Sequence, residues 1–180
     1  MICEGYELKD QKLETFESHV LPHLKAGYNL ARWMMREDSA AEDMVQEASL
    51  KAFEAFSESQ YEKAKPWFLK IVRNCCFTQL RKIKLWRQVE LLDETLASSH
   101  DPESHLIDKI DGRKLNEAIQ NLPEEFREVF ILHEVEGLSY EEISEIVSSP
   151  IGTVMSRLSR ARKHLQRTLL ERDFKSEVKR

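Results

Sequence analysis

A chain of 180 residues is the length of one medium domain or two small ones, and a composition one-third charged and 41% hydrophobic fits a globular protein in water. No apolar run approaches the roughly 18 residues of a membrane span, and the opening MICEGYELKDQ lacks the basic and apolar parts of a secretory leader, so no membrane segment is expected. The net charge of −5 is unevenly laid out: residues 63–89 carry eight cations and no acid, residues 90–111 seven acids against Lys109, residues 117–145 nine acids against Arg127, and the chain from Ile151 is basic again.

With only five glycines and five prolines, helix should dominate. The first helix is expected over about 11–36, with Phe16, Val20, Leu24, Tyr28, Ala31 and Met35 as one apolar stripe and a kink at Pro22. A second opens near Ser39 as N-cap, with Glu42 and Asp43 favouring its positive end. It turns Val45, Ala48, Ala52, Phe53 and Phe56 inward, and Asp43, Gln46 and Glu47 form a polar ridge beside that face. After the polar connection SESQYEKAK, Pro66 can start a third helix reaching about Lys84, with Trp67, Ile71, Cys75 and Thr78 inward. This helix interleaves cations with Trp67, Phe68, Phe77 and Trp86. Single-stranded nucleic-acid sites combine the same two residue types, although helical spacing also places aromatics in cores.

Residues 90–111, with ASSHDPES at their centre, read as a flexible acidic linker. Beyond it, LPEEFREVFILHEVEG predicts a helix with Pro123 at its start, Glu124 and Glu125 in the first turn, and Gly137 closing it. Its shared face is Phe126, Val129, Phe130 and His133. Ser139 followed by Glu142 is a capping-box signature, and Ile143, Ile146 and Val147 form the inner side of the short helix it opens. Ser149 then caps a final helix with Pro150 as its first residue. The expected fold class is all-α: two small helical domains joined by the linker.

A short helix, a tight turn and a longer helix make a helix-turn-helix. On the last helix Val154, Leu158, Ala161 and Leu165 form an unbroken inner stripe, Ser156, Ser159, Arg160 and Lys163 point away from it, and Arg157 and Arg162 lie on the shoulders. That suits a helix in the DNA major groove, with central side chains at base edges and flanking arginines on phosphates. The three cysteines (Cys3, Cys75 and Cys76) lack zinc spacing and read as reduced thiols. His19 and His23 stand four apart, but Pro22 lies between them and no third ligand accompanies them. No metal, cofactor or catalytic group is expected, and the chain does not read as an enzyme.

Three segments together resemble the extracytoplasmic-function (ECF) group of bacterial sigma factors, in order and spacing, over roughly 16–169. AEDMVQEASLKAF is similar to their segment that docks on core RNA polymerase, KPWFLKIVRNCCFTQLRK to the one that captures and melts the minus-10 element, and LPEEFREVFILHEVEGLSYEEISEIVSSPIGTVMSRLSRARKHL to the domain that reads the minus-35 element as duplex. The resemblance implies a docking and minus-10 domain over 11–89, a linker over 90–111, a minus-35 domain over 112–170 and a basic tail over 171–180. By position it puts Asp43, Gln46 and Glu47 on the polymerase. Asn74, with Tyr61 in the 57–65 loop, would meet the unpaired minus-10 strand, and Lys70, Arg73, Arg81 and Lys82 its backbone. Ser156, Ser159 and Arg160 would read minus-35 bases, with Thr153, Arg157 and Arg162 on phosphate and Lys163 beside them. Implied partners are core RNA polymerase, duplex and melted promoter DNA and an anti-sigma factor, all in the cytoplasm. Met155 stands where the family often has a cation, and Ser148 where it often has a turn glycine. A stand-alone helix-turn-helix regulator would leave the first domain's ridge and basic helix unexplained, and a decoy that binds only an anti-sigma factor would not need the retained basic surfaces.

Overall fold

The computed structural model describes residues 4–90 and 110–177. Its elements are α1 (Glu4–Val20), a 3-10 turn (Leu21–His23), α2 (Leu24–Met35), α3 (Asp38–Ala55), a 3-10 segment (Glu58–Lys63), α4 (Ala64–Glu90), α5 (Ile110–Gln120), α6 (Glu124–Phe130), a π-helical turn (Ile131–Val135), α7 (Tyr140–Val147) and α8 (Ile151–Glu177). The fold of the described residues is all-α. The interior of the expected linker and Cys3 lie outside them, whereas both ends of the linker belong to helices, α4 running to Glu90 and α5 starting at Ile110. The chain divides into two units, one within residues 1–80 and 145–148, the other within 81–144 and 149–180.

In the first unit Pro22 does more than kink a helix. Lacking an N–H, it sits in the 3-10 turn that separates α1 from α2, and the turn resets the buried register. Phe16 and Val20 are buried before it; after it the buried set is Ala26, Gly27, Leu30, Ala31 and Met34, while Leu24, Tyr28 and Met35 of the expected stripe are only half-buried. Arg36, in the left-handed region at φ 66°, closes α2 by donating its N–H to the Arg32 carbonyl at 2.9 Å. Helix α3 then starts one residue before Ser39: Glu37 holds the extended N-cap position, and the Ser39 hydroxyl donates to Glu37 Oε1 at 2.8 Å.

Helices α2 and α3 pack on each other, and both bury small residues: Ala26, Gly27 and Ala31 on α2, and Ala41, Ala48 and Ala52 on α3. The inner row of α3 is therefore Ala41, Met44, Ala48 and Ala52, continued by Phe56, with the expected Val45 and Phe53 at its margin. On α4 the buried residues are Ala64, Pro66, Phe68, Leu69, Val72, Cys75 and Cys76, while Trp67 and Ile71 are half-buried and Thr78 is exposed. A Cβ on Gly27 would come within 2.7 Å of Phe68 Cε1 and 3.3 Å of Val72 Cγ2. Helical glycine normally gives up about 1 kcal/mol to alanine, so its use here reflects the close approach of α4. Gly27→Ala should lower the urea midpoint, because overpacking of about 1–3 kcal/mol outweighs the propensity gain. A raised midpoint would show that Phe68 can move aside.

An aromatic cluster finishes this unit. Phe16 meets Phe53 and Phe56 edge-on, each at 5.3 Å between centroids, and Phe56 lies 6.0 Å from Trp67. Tyr61 stacks on His19 at 4.4 Å, which fixes the 3-10 segment against α1.

In the second unit α5 and α6 pack on α8. Helix α6 is buried on more of its circumference than periodicity predicted. Val129 is buried as expected, but the rest of the buried set is Ile131, Leu132 and the charged pair Arg127 and Glu128, whereas Phe126, Phe130 and His133 are half-buried. Arg127 donates to the Gln120 carbonyl at 2.7 Å. The π-helical turn widens the end of α6 and shifts the register there. Gly137, at φ 70°, terminates it, with its N–H on the His133 carbonyl at 3.1 Å and that of Leu138 on Leu132 at 3.0 Å.

Candidate nucleic-acid and protein interfaces

The helix-turn-helix is built by local chemistry. The Ser139 N–H donates to Glu142 Oε2 at 2.8 Å, and the Glu142 N–H donates to Ser139 Oγ at 3.2 Å, the two halves of the capping box that opens α7. Ile143, Ile146 and Val147 are buried beneath it, as expected. The turn is held by the Ser144 hydroxyl on the Ser149 carbonyl at 2.7 Å and the Ser149 N–H on the Ser144 carbonyl at 3.2 Å. Ser148 takes a left-handed φ of 51°, the conformation a glycine would adopt with less strain. The first carbonyl of the final helix is that of Pro150, which accepts from Thr153 and Val154, so α8 begins at Ile151, one residue later than the sequence suggested.

On α8 the inner stripe is as predicted: Val154, Leu158, Ala161 and Leu165 are all buried. Ser156, Ser159, Arg160 and Lys163 are exposed on the outer side, and Thr153 is half-buried at the helix start, its carbonyl accepting the Ser156 hydroxyl at 2.9 Å. Met155 and Ile151 add an exposed apolar strip one turn apart. The two shoulder arginines are engaged with acids. Arg157, its side chain 19% exposed, lies 2.9 Å from a Glu125 oxygen and 3.9 Å from buried Glu128. Arg162, 52% exposed, donates from Nε to Glu134 Oε1 at 3.0 Å and from a terminal nitrogen to the same oxygen. Periodicity had no means of finding these acidic partners, since they stand 28 or more positions away on α6 and the π-helical turn.

In the first unit Asp43, Gln46 and Glu47 are exposed along α3, and the row is extended by exposed Leu50. Glu47 accepts from Lys51 Nζ at 2.5 Å; that hydrogen bond raises the lysine pKa. Lys51 also reaches Cys75 Sγ at 3.7 Å. Burial pushes the Cys75 thiol up, against the pull of Lys51, and pushes Cys76 up to about 12. Neither supplies much thiolate at neutral pH, the form that reacts.

Helix α4 carries the remaining candidates. Asn74, Arg81 and Lys82 are exposed; Lys70, Arg73 and Tyr61 are half-buried. The Arg73 guanidinium covers the Phe77 ring at 4.4 Å, and the Asn74 carbonyl accepts the Thr78 hydroxyl at 2.8 Å, leaving the Asn74 side chain facing solvent. From Lys70 to Lys82 the helix rises about 18 Å. Of the aromatics interleaved with these cations, Phe68 is core and Trp86 is exposed. None of the described helices is long and apolar enough to cross a membrane.

Two family models match: Sigma-70 region 2 over residues 19–87 and Sigma-70 region 4 over residues 112–165. The ECF RNA polymerase sigma factor SigE of Mycolicibacterium smegmatis is 31% identical over 157 residues, which are 86% of this chain and 61% of that protein. SigV of Bacillus subtilis, an RNA polymerase sigma factor, is 33% identical over 157 residues, covering 86% of this chain and 91% of its own length. Among solved structures, the Bartonella quintana sigma factor RpoE, in complex with the anti-sigma factor NepR, superposes with a TM-score of 0.71 at 31% identity, over 86% of this chain and 96% of the other.

Proposed function

The chain belongs to the ECF group of the sigma-70 family of RNA polymerase sigma factors, and from that membership we propose that it acts as an alternative sigma factor whose two modules divide the work. The module over 11–89 docks on core polymerase through Asp43, Gln46 and Glu47 and handles the minus-10 element. There Asn74 and Tyr61 meet the unpaired strand, and Lys70, Arg73, Arg81 and Lys82 hold backbone. The module over 112–170 reads the minus-35 duplex with Ser156, Ser159 and Arg160, supported on phosphate by Thr153, Arg157, Arg162 and Lys163.

The observation that carries this reading is α8: an uninterrupted buried stripe behind a formed capping box, with a polar and cationic row on the opposite side. The work is binding and positioning rather than bond making. Small modules that contact DNA at two places gain from effective concentration once polymerase fixes their separation. Polymerase and promoter place the protein in the cytoplasm. A regulatory partner of the anti-sigma class, as captured with the Bartonella protein, is part of the proposal.

The test combines the purified chain with bacterial core RNA polymerase and a library of promoter fragments, reading co-elution and transcript starts. Co-elution with transcripts from a defined subset of fragments is the expected result. Tight binding to duplex DNA with no affinity for polymerase would replace this reading with a stand-alone helix-turn-helix regulator.

A further inference from the structure

The two shoulder arginines of α8 look equivalent in sequence and are held differently in the fold. Arg157 is only 19% exposed, 2.9 Å from exposed Glu125 and 3.9 Å from Glu128, whose side chain is 1% exposed, so it is largely covered where α6 packs on α8. Arg162 is half-open to solvent, and its partner Glu134 is 37% exposed. The Glu134 carboxylate is presented by the π-helical turn, and Tyr140 lies beside the same guanidinium. Tyr140 is steadied in turn by stacking on His133 at 5.0 Å, and His133 Nδ1 is 2.9 Å from the Leu138 carbonyl. An exposed ion pair of this kind is weak and can exchange partners. Arg162 therefore has a built-in counter-ion at the edge of the DNA-facing row, one that a phosphate must displace.

We propose that Glu134 is a positioning residue that withholds Arg162 from the phosphate backbone and so sets the affinity of the minus-35 module for duplex DNA. This rests on the assignment of α8 to duplex DNA above. Phosphate contacts contribute to affinity by releasing condensed counter-ions, with a slope of about 0.9 in log affinity against log salt for each phosphate neutralised. While Arg162 stays on Glu134 it neutralises no phosphate. If it moves to one, Glu134 is left bare and attracts a cation from solution. Either way one fewer net ion is released, and Arg162 adds little to binding on arbitrary sequence. Weak intrinsic DNA affinity leaves the free protein available to polymerase, where the tethered promoter contacts supply the remainder.

The experiment measures anisotropy of a labelled random-sequence duplex with the full chain, between about 0.05 and 0.2 M salt. The variants are Glu134→Gln, Arg162→Ala, the double substitution, and Glu134→Asp. Glu134→Gln is expected to tighten binding roughly fivefold to tenfold at about 0.1 M salt and to steepen the salt slope by about 0.9. In the Arg162→Ala background the same change should do almost nothing, and Glu134→Asp should restore part of the wild-type slope. An unchanged slope, or equal tightening with and without Arg162, would overturn the proposal, the latter marking a general effect of removing negative charge. Transcript assays on the same variants separate the two levels. Promoter-directed starts with an unmoved slope reject the role of Glu134 and leave the sigma reading intact, whereas failure of every variant to bind duplex rejects both the role and the DNA face it rests on.

Discussion

Alanine at Phe68 is expected to destabilise the first unit by about 3–5 kcal/mol, the range for truncating a fully buried aromatic. Phe68 is completely buried, is among the largest side chains to be so, and fills the space that Gly27 leaves on α2. The loss would combine apolar transfer with the cost of the cavity left beside α2 and α3, which are already packed on each other. Natural domains hold only about 5–15 kcal/mol in all, and small ones bury a smaller fraction of their surface than large ones. Urea unfolding followed by helicity would show a large fall in midpoint, and polymerase binding would fail with it near physiological temperature. A loss below about 1 kcal/mol would mean that the neighbouring side chains can repack into the space.

The triple substitution of Asp43, Gln46 and Glu47 by alanine separates binding from folding in the opposite sense. All three side chains are exposed on α3, and alanine is the best helix former, so stability should change little. The substitution breaks the Glu47–Lys51 pair, which is itself exposed and worth little. If this ridge is the polymerase face and holds its hot spot, removing its polar centre should weaken association about a hundredfold, since the few residues that dominate an interface cost about 2 kcal/mol or more each. Titration of core polymerase against the wild-type and triply substituted chains, with melting curves alongside, would read both quantities. Unchanged affinity with unchanged melting would move the docking surface elsewhere on the chain.

Features governed by near neighbours in sequence are legible in the sequence alone. The α8 stripe, the capping box of Ser139 and Glu142, the stop at Gly137 and the exposed ridge of α3 each depend on residues within one or two turns, and the structure carries all four. The unusual position of Ser148 was visible as well, and its left-handed backbone is the physical form of that departure.

The remainder was decided by packing between distant segments. Which side of α2 faces inward follows from the turn made at Pro22 and from the approach of α4 to Gly27, and neither distance is written in the local period. Arg127 and Glu128 are charged and yet buried, because hydrogen bonds and ion pairs made across α5, α6 and α8 can satisfy them there. Composition and periodicity by themselves indicated an all-α chain whose final helix carries a basic outer face. Only the tertiary structure decided which of its arginines are engaged by acids, because a charge on a helix face is exposed or engaged according to what the rest of the fold sets against it.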